Sequence, residues 1–285
     1  MKLSSRVRSR WFTLPLIVAV VASAGMLASP NAAQAALVAY WNFNDGAGLT
    51  ANDFSVNNND GTLGASPLPT WVAGHTANPA DKALNFVSGN APRVSVPASA
   101  SFGTITNKFT IATWEYERSS SNYGHIFVTT SDYSNRNWLL QTDNGGDQAY
   151  VWSATVGAWQ KPLGWQIPDG AWHHVALTYD GTNLRSYLDG TLKNTQAVSG
   201  GPNFPAFTGA LYLGGWLAGG SGFIGDLDDM VMFNSVEDVI SIMNGTHPAM
   251  NPEPPNLDIP EPATMALLGL AAAGLGGYLR RRRTA

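Results

Sequence analysis

Between residues 36 and 244 the chain is a succession of short β-prone runs. "LVAYWNF", "PRVSVP", "KFTIATWEYE", "HIFVTTS", "NWLLQT", "AYVWSAT", "WHHVALTYD", "NLRSYLD", "ALYLGG" and "GDLDDMVMFN" follow one another, separated by Gly, Asn, Asp and Pro. Runs rich in β-branched and aromatic residues, bounded by such breakers, predict strands. Asp-Gly recurs at Asp60-Gly61, Asp180-Gly181 and Asp189-Gly190. Between alternating runs this dipeptide predicts hairpins, because a type I′ turn requires positive φ at both central residues. Many short strands with turn signals at about 8–12-residue intervals predict an all-β sandwich or barrel. Only "VEDVISIMNG" predicts a short helix, with Gly245 as its stop.

Both ends depart from this pattern. Lys2, Arg6, Arg8 and Arg10 precede an apolar run from Trp11 to about Leu27, and Ala33 and Ala35 stand at the −3 and −1 positions of a small-residue cleavage site. Basic region, apolar core and A-x-A predict a secretory signal peptide over residues 1–35, removed by signal peptidase after passage through the Sec machinery. The folded domain is then expected over 36–246. Six prolines between His247 and Pro262 predict an extended, semi-rigid linker over 247–259. Beyond it, Pro260-Glu261-Pro262 leads into the uncharged run Ala263–Leu279 and then Arg280, Arg281, Arg282 and Arg283. Seventeen residues make a helix of about 25 Å, a short single transmembrane span over 263–279. Gly269, Ala273 and Gly277 put small residues on one of its faces. The arginines place its C-terminus in the cytoplasm and the domain outside.

Composition narrows the function. Removing the ends takes away half of the sixteen Lys and Arg residues, so residues 36–258 hold eight basic against nineteen acidic side chains. An acidic surface repels phosphate backbones and argues against nucleic-acid binding. The 285 residues include no cysteine, so an exported fold must stand without disulfides.

Several segments resemble one family. "YWNFNDGAGLTANDFSVNNNDGTL", "KFTIATWEY", "WHHVALTYDGTNLRSYLDGTL" and "YLGGWLAGGSGFIGDLDDMVMFN" occur in the order and spacing of the concanavalin A-like, laminin-G-like jelly rolls. The resemblance implies a sandwich of two curved antiparallel sheets, one with a concave face where many relatives hold sugars. It implies also a structural calcium carried by Asp53 and Asp228, with Asn59 as a further ligand. Trp41, Trp114 and Trp172 fall in the family's strand motifs and are expected in the core. Residues 260–285 resemble the bacterial PEP-CTERM sorting signal. That implies an exosortase-type membrane peptidase as partner, a Gram-negative source, processing near Pro260-Glu261-Pro262, transient anchoring in the inner membrane, and release to the cell surface or an extracellular matrix associated with exopolysaccharide and biofilm.

Catalytic chemistry finds little support. Glu115 and Glu117 are the best local carboxylate pair, since i and i+2 share a strand face. The laminarinase-type pattern Glu-x-Asp-x-x-Glu fails, however, at Ser120, and the pair is expected to be solvated at a strand end. Cysteine nucleophiles, a Gly-x-Ser-x-Gly elbow, zinc-type His spacing and nucleotide loops do not occur in the sequence. His173 and His174 are adjacent, so a strand turns them to opposite faces. Sugar binding asks for exposed aromatics beside polar groups, and Tyr133, Trp138, Trp152, Trp159 and Trp165 are candidates. The leading expectation is a non-enzymatic glycan- or matrix-binding surface protein. A glycoside hydrolase or lyase of the same superfamily and a protein-binding adhesin are the alternatives.

Overall fold

In a computed structural model of the chain, residues 37–251 are described, apart from 88–89, 119–123, 129–137, 144–145, 154–157, 161–166, 169, 199–209 and 216–221; residues 138–143, 146–153 and 158–160 enter below through their backbone register. The signal-peptide segment, Tyr133, Trp165, the linker beyond Asn251 and the whole sorting segment lie outside the described residues.

All ten anticipated runs form strands. Two antiparallel sheets make the sandwich. The first has the order β14 (Thr191–Ala197), β13 (Asn183–Leu188), β12 (Trp172–Tyr179), β7 (Phe109–Glu117), β16 (Gly225–Phe233), β5 (Lys82–Phe86) and β4 (Thr70–Ala73), with β1 (Leu37–Trp41) also paired to β16. The second runs β11 (Ala158–Gln160), β10 (Gly146–Ser153), β9 (Trp138–Asp143), β8 (Gly124–Val128), β15 (Leu211–Leu213), β6 (Asn90–Val96), β3 (Gly61–Ser66) and β2 (Thr50–Ala51). The short edge strands β2, β4 and β11, together with β3, β5 and β14, were not among the sequence-predicted runs. They owe their pairing to neighbours more than to their own composition.

The core lies between the sheets. Leu84, Phe86, Phe109, Ile111, Leu177, Leu227 and Met232 of the first sheet meet Leu63, Val94, Val96, Ile126, Phe127, Leu211 and Leu213 of the second, all buried. Trp41 is fully buried and its indole N–H donates to the carbonyl of Asn59 at 2.9 Å, so its one polar atom is satisfied. The outer face of the first sheet is covered at one end by helix α1 (Val239–Met243), whose Val239 and Ile242 pack on Leu37, Ala112, Ala176, Val231 and Phe233. Asp238 caps this helix through Ile240 N–H, and Gly245 follows it at φ +64° as expected.

The three Asp-Gly pairs have three outcomes. Asp189 (φ +48°) and Gly190 (φ +71°) form the two-residue β13–β14 turn with both φ values positive. Asp180-Gly181 sits in a longer β12–β13 connection, where the Asp180 carboxylate accepts from Thr182 and Asn183 N–H. Asp60-Gly61 is not a hairpin turn: Gly61 already pairs with Ala51, and Asp60 turns back to accept the N–H of Asp53.

Candidate functional site

Alternation along β7 decides which side chains are available. Phe109, Ile111, Thr113, Glu115 and Glu117 share the face that looks between the sheets; Thr110, Ala112, Trp114 and Tyr116 share the opposite one. Glu115 pairs in register with the core residue Leu227, and Glu115 and Glu117 are 0% and 3% exposed. The expectation of solvated glutamates at a strand end is therefore corrected: both are inside the sandwich, because this strand carries apolar residues on both faces and alternation alone does not say which is inner.

The outer face carries aromatic residues instead. Trp172 is the register partner of Tyr116, and His174 that of Trp114. Asn85, Asp226, Tyr116 and Trp172 form one row across β5, β16, β7 and β12. Trp41 lies in the core as expected, whereas Trp114 and Trp172 are only half-buried and face away from it. Trp172 and Tyr116 contact edge to face at 5.8 Å. Arg118 lies over the Tyr116 ring at 5.2 Å and holds Asp226 through two parallel bonds of 2.7 and 2.6 Å, while Asn85 donates to the same carboxylate at 2.6 Å.

Directly beside this row, where His75 meets Trp172 edge to face at 6.2 Å, β16 contains a bulge. One edge of β16 pairs with β7; the other is shared, β5 taking residues 225–227 and β1 taking 230–233. Between them the register shifts, and Asp229 adopts φ +45°. In a regular strand Asp228 and Asp229 would point to opposite faces. Here the extra residue lets both reach His75, in the loop that follows β4.

His75 Nδ1 is 2.9 Å from Asp228 Oδ2, 3.7 Å from Asp81 Oδ2 and 3.9 Å from Asp229 Oδ2. Its backbone N–H also donates to Asp228, and its ring stacks on Trp114 at 4.5 Å and 13°. Asp228 accepts a further bond from Asp229 N–H, Tyr40 donates its hydroxyl to Asp229, and Thr76 donates N–H and hydroxyl to Asp81. Gly74 is required here: a Cβ on it would stand 2.4 Å from Asp81 and 2.8 Å from Asp228.

Burial and mutual charge set the protonation of this cluster. Burial pulls the His75 imidazole down, but the hydrogen bond to Asp228 and the charges of Asp228, Asp229 and Asp81 outweigh it and hold it above its ordinary value. Burial raises Asp228 despite the bonds from His75, and burial together with the Asp228 charge pushes Asp229 up to about 6. Burial lowers His174 to about 3, so it is neutral at pH 7.

The residues marked for calcium divide between two networks. Asp53 Oδ1 accepts from the N–H groups of Tyr40 and Ser55, and Oδ2 from Asn59 N–H and the Ser55 hydroxyl. Asn59 donates to Val38 and Ser101, and its carbonyl accepts from the Ser101 hydroxyl. A carboxylate offers about four lone-pair sites, and protein donors take all of those of Asp53. Asp53 therefore does not fit the part of a calcium ligand, while Asp228 belongs to the His75 cluster. Of the aromatic candidates, Trp138, Trp152 and Trp159 lie on β9, β10 and β11, with Trp152 and Trp159 as register partners. Sequence reasoning missed His75, Tyr116 and Arg118 as site residues; the even positions of "KFTIATWEY" carried the signal for Trp114 and Tyr116.

Comparison with known proteins agrees with this architecture. The family model described as the concanavalin A-like lectin/glucanases superfamily, of laminin-G type, matches residues 88–238, just over half of the chain, and the PEP-CTERM protein-sorting motif matches 258–283. Among curated protein sequences none matches. Domain 4 of AbnA, an extracellular GH43 arabinanase from Geobacillus stearothermophilus solved with arabinotriose, is similar at TM-score 0.54 and 18% identity, over 73% of this chain and 97% of that one. The binding domain of botulinum neurotoxin serotype D superposes at TM-score 0.55 and 14% identity, over 75% of this chain and 53% of that one. That of Paraclostridial Mosquitocidal Protein 1 gives 0.56 and 14%, over 74% and 52%. At such identities the likeness is one of fold, and the chain spans about half of the two toxin domains. With its two antiparallel sheets, its family match and its terminal motif, the chain belongs to the concanavalin A-like lectin/glucanases superfamily and carries a PEP-CTERM sorting motif.

Proposed function

We propose that the protein is an exported, non-enzymatic carbohydrate-binding module. In this reading an exosortase-type peptidase processes its C-terminal segment, and the domain then works at the surface or in the extracellular polysaccharide of a Gram-negative bacterium. The observation that carries the reading is the Tyr116–Trp172 pair, half-buried on the outer face of the first sheet beside the Arg118–Asp226–Asn85 network. Sugar rings present C–H faces that pack on aromatic rings and hydroxyls that bond to carboxylates, amides and guanidinium groups. This row offers both within a few cross-strand spacings.

Burial of Glu115 and Glu117 between the sheets supports the non-enzymatic side of the reading, since a polysaccharide cannot reach them there. The arabinotriose complex of the similar arabinanase domain supports a sugar as the ligand class. Trp152 and Trp159, register partners on β10 and β11, remain a proposed second strip for a long chain, whereas Trp138 pairs with Val151, one position out of that register. A glycan array with the purified protein tests the reading. Binding to a defined set of oligosaccharides is expected; absence of binding across neutral, amino and acidic glycans would overturn it.

A further inference from the structure

Asp53 spends its lone pairs on the protein's own donors, and Asp228 stands in a separate network, so the calcium set implied by family resemblance does not assemble. The metal-binding chemistry gathers at another place. We propose that the protein binds a first-row divalent cation of borderline softness, with zinc as reference ion, at His75, Asp81, Asp228 and Asp229.

Geometry supports this first. Four ligands held 2.0–2.1 Å from a tetrahedral zinc stand about 3.3 Å apart. The three carboxylate oxygens lie 2.9, 3.7 and 3.9 Å from His75 Nδ1, around that value. The donor atoms of His75, Asp228 and Asp229 all fall within 4.8 Å of one another.

Charge supports it next. Three carboxylates face one imidazole and the neutral Tyr40 hydroxyl, and Asp228 is 0% exposed. The nearby Arg118 is committed to Asp226. The three carboxylates outnumber the one imidazole in a half-buried place, where water screens charge poorly. A divalent cation that displaces the Nδ1 proton turns that deficit into ligation.

Donor chemistry selects the ion. Calcium takes six to eight oxygen ligands and makes little use of imidazole, whereas zinc and its neighbours accept mixed imidazole and carboxylate sets. The second layer is also in place: Tyr40 holds Asp229, Thr76 holds Asp81, and the backbone N–H groups of His75 and Asp229 hold Asp228. Trp114 beneath the ring fixes its plane. This inference does not rest on the sugar reading.

Cobalt(II) provides the test, because its visible absorption reports nitrogen and oxygen ligation directly. The purified protein, freed of metal with a chelator, is titrated with cobalt and then with zinc. One equivalent of cobalt giving visible bands that zinc abolishes is the expected result, with a rise in melting temperature that calcium does not reproduce. His75→Gln and Asp229→Asn, each checked for fold by circular dichroism, are expected to weaken binding at least tenfold; Asp53→Asn is expected to leave the spectrum unchanged. Absence of a cobalt spectrum, or an unchanged one in His75→Gln, would overturn the assignment. A calcium-induced stabilisation lost in Asp53→Asn but kept in His75→Gln would overturn it in favour of the calcium set.

Discussion

Two acidic turns, close in composition, do opposite work. In the loop around Asp53, the carboxylate receives four hydrogen bonds, three of them from backbone N–H groups. Around Asp228, three carboxylates crowd one imidazole, and two of them are held above the ordinary carboxylate value. The first turn has a donor for every lone pair; the second has more acceptors than donors. A carboxylate with a full set of N–H partners is a structural staple, each charge-assisted bond contributing roughly 1.5–3 kcal/mol. Carboxylates that outnumber their donors form a place that asks for a cation. Residue type does not separate the two cases. Donor supply does.

The largest break in that comparison is expected at Asp53. Asp53→Ala leaves the N–H groups of Tyr40, Ser55 and Asn59 without their acceptor, at a cost of about 3–5 kcal/mol, measured by denaturant unfolding. Loss of under about 1 kcal/mol would show that water replaces the carboxylate.

Next comes pH. His174 is lowered from 6.5 to about 3 by burial. Its neutral form is favoured in the folded state, so its contribution is complete above pH 6.5 and is lost as pH falls through that window toward 3. Stability is expected to decline by about 1.4 kcal/mol per pH unit at the steepest part, and His174→Gln should flatten this decline. An unchanged pH slope in that variant would sink the assignment.

Gly74→Ala comes third. Its methyl group would push Asp81 and Asp228 apart from the backbone, costing about 2 kcal/mol and, if the metal assignment holds, abolishing cobalt binding. The smallest effect belongs to Asp229→Asn, and its sign is the informative part. Asp229 is raised from 3.8 to about 6, so its contribution is present below pH 3.8 and lost as pH rises through 6. Asparagine keeps the acceptor for Tyr40 and removes the repulsion. Stability above pH 6, without metal, should rise by on the order of 1 kcal/mol. A fall would mean that the carboxylate charge is already compensated.

Much of the fold was legible because the strands advertise themselves locally. The ten runs, the helix with Gly245 and the Asp189-Gly190 turn follow from period-two alternation and from backbone rules that act over a few residues. What stayed hidden depends on partners distant in sequence. Glu115 and Glu117 were placed on the wrong side because β7 carries apolar residues on both faces, aliphatic under α1 at one end and aromatic at the other, so its pattern does not mark which face is inner. His75 was invisible because its role arises from a bulge 153 residues away, where β16 passes from β5 to β1. Asp53 looked like a ligand because a sequence shows carboxylates and does not count their donors.

The central functional claim is that the outer aromatic row, not the acidic turns, holds the ligand. Its most direct test is the affinity of Trp172→Ala for the strongest glycan found on the array, by isothermal titration calorimetry, with the melting temperature followed in parallel. A loss of at least tenfold in affinity, with a change in stability under about 1 kcal/mol, is the predicted result. Full affinity in Trp172→Ala, and again in Tyr116→Ala, would contradict it and move the site to another face of the sandwich.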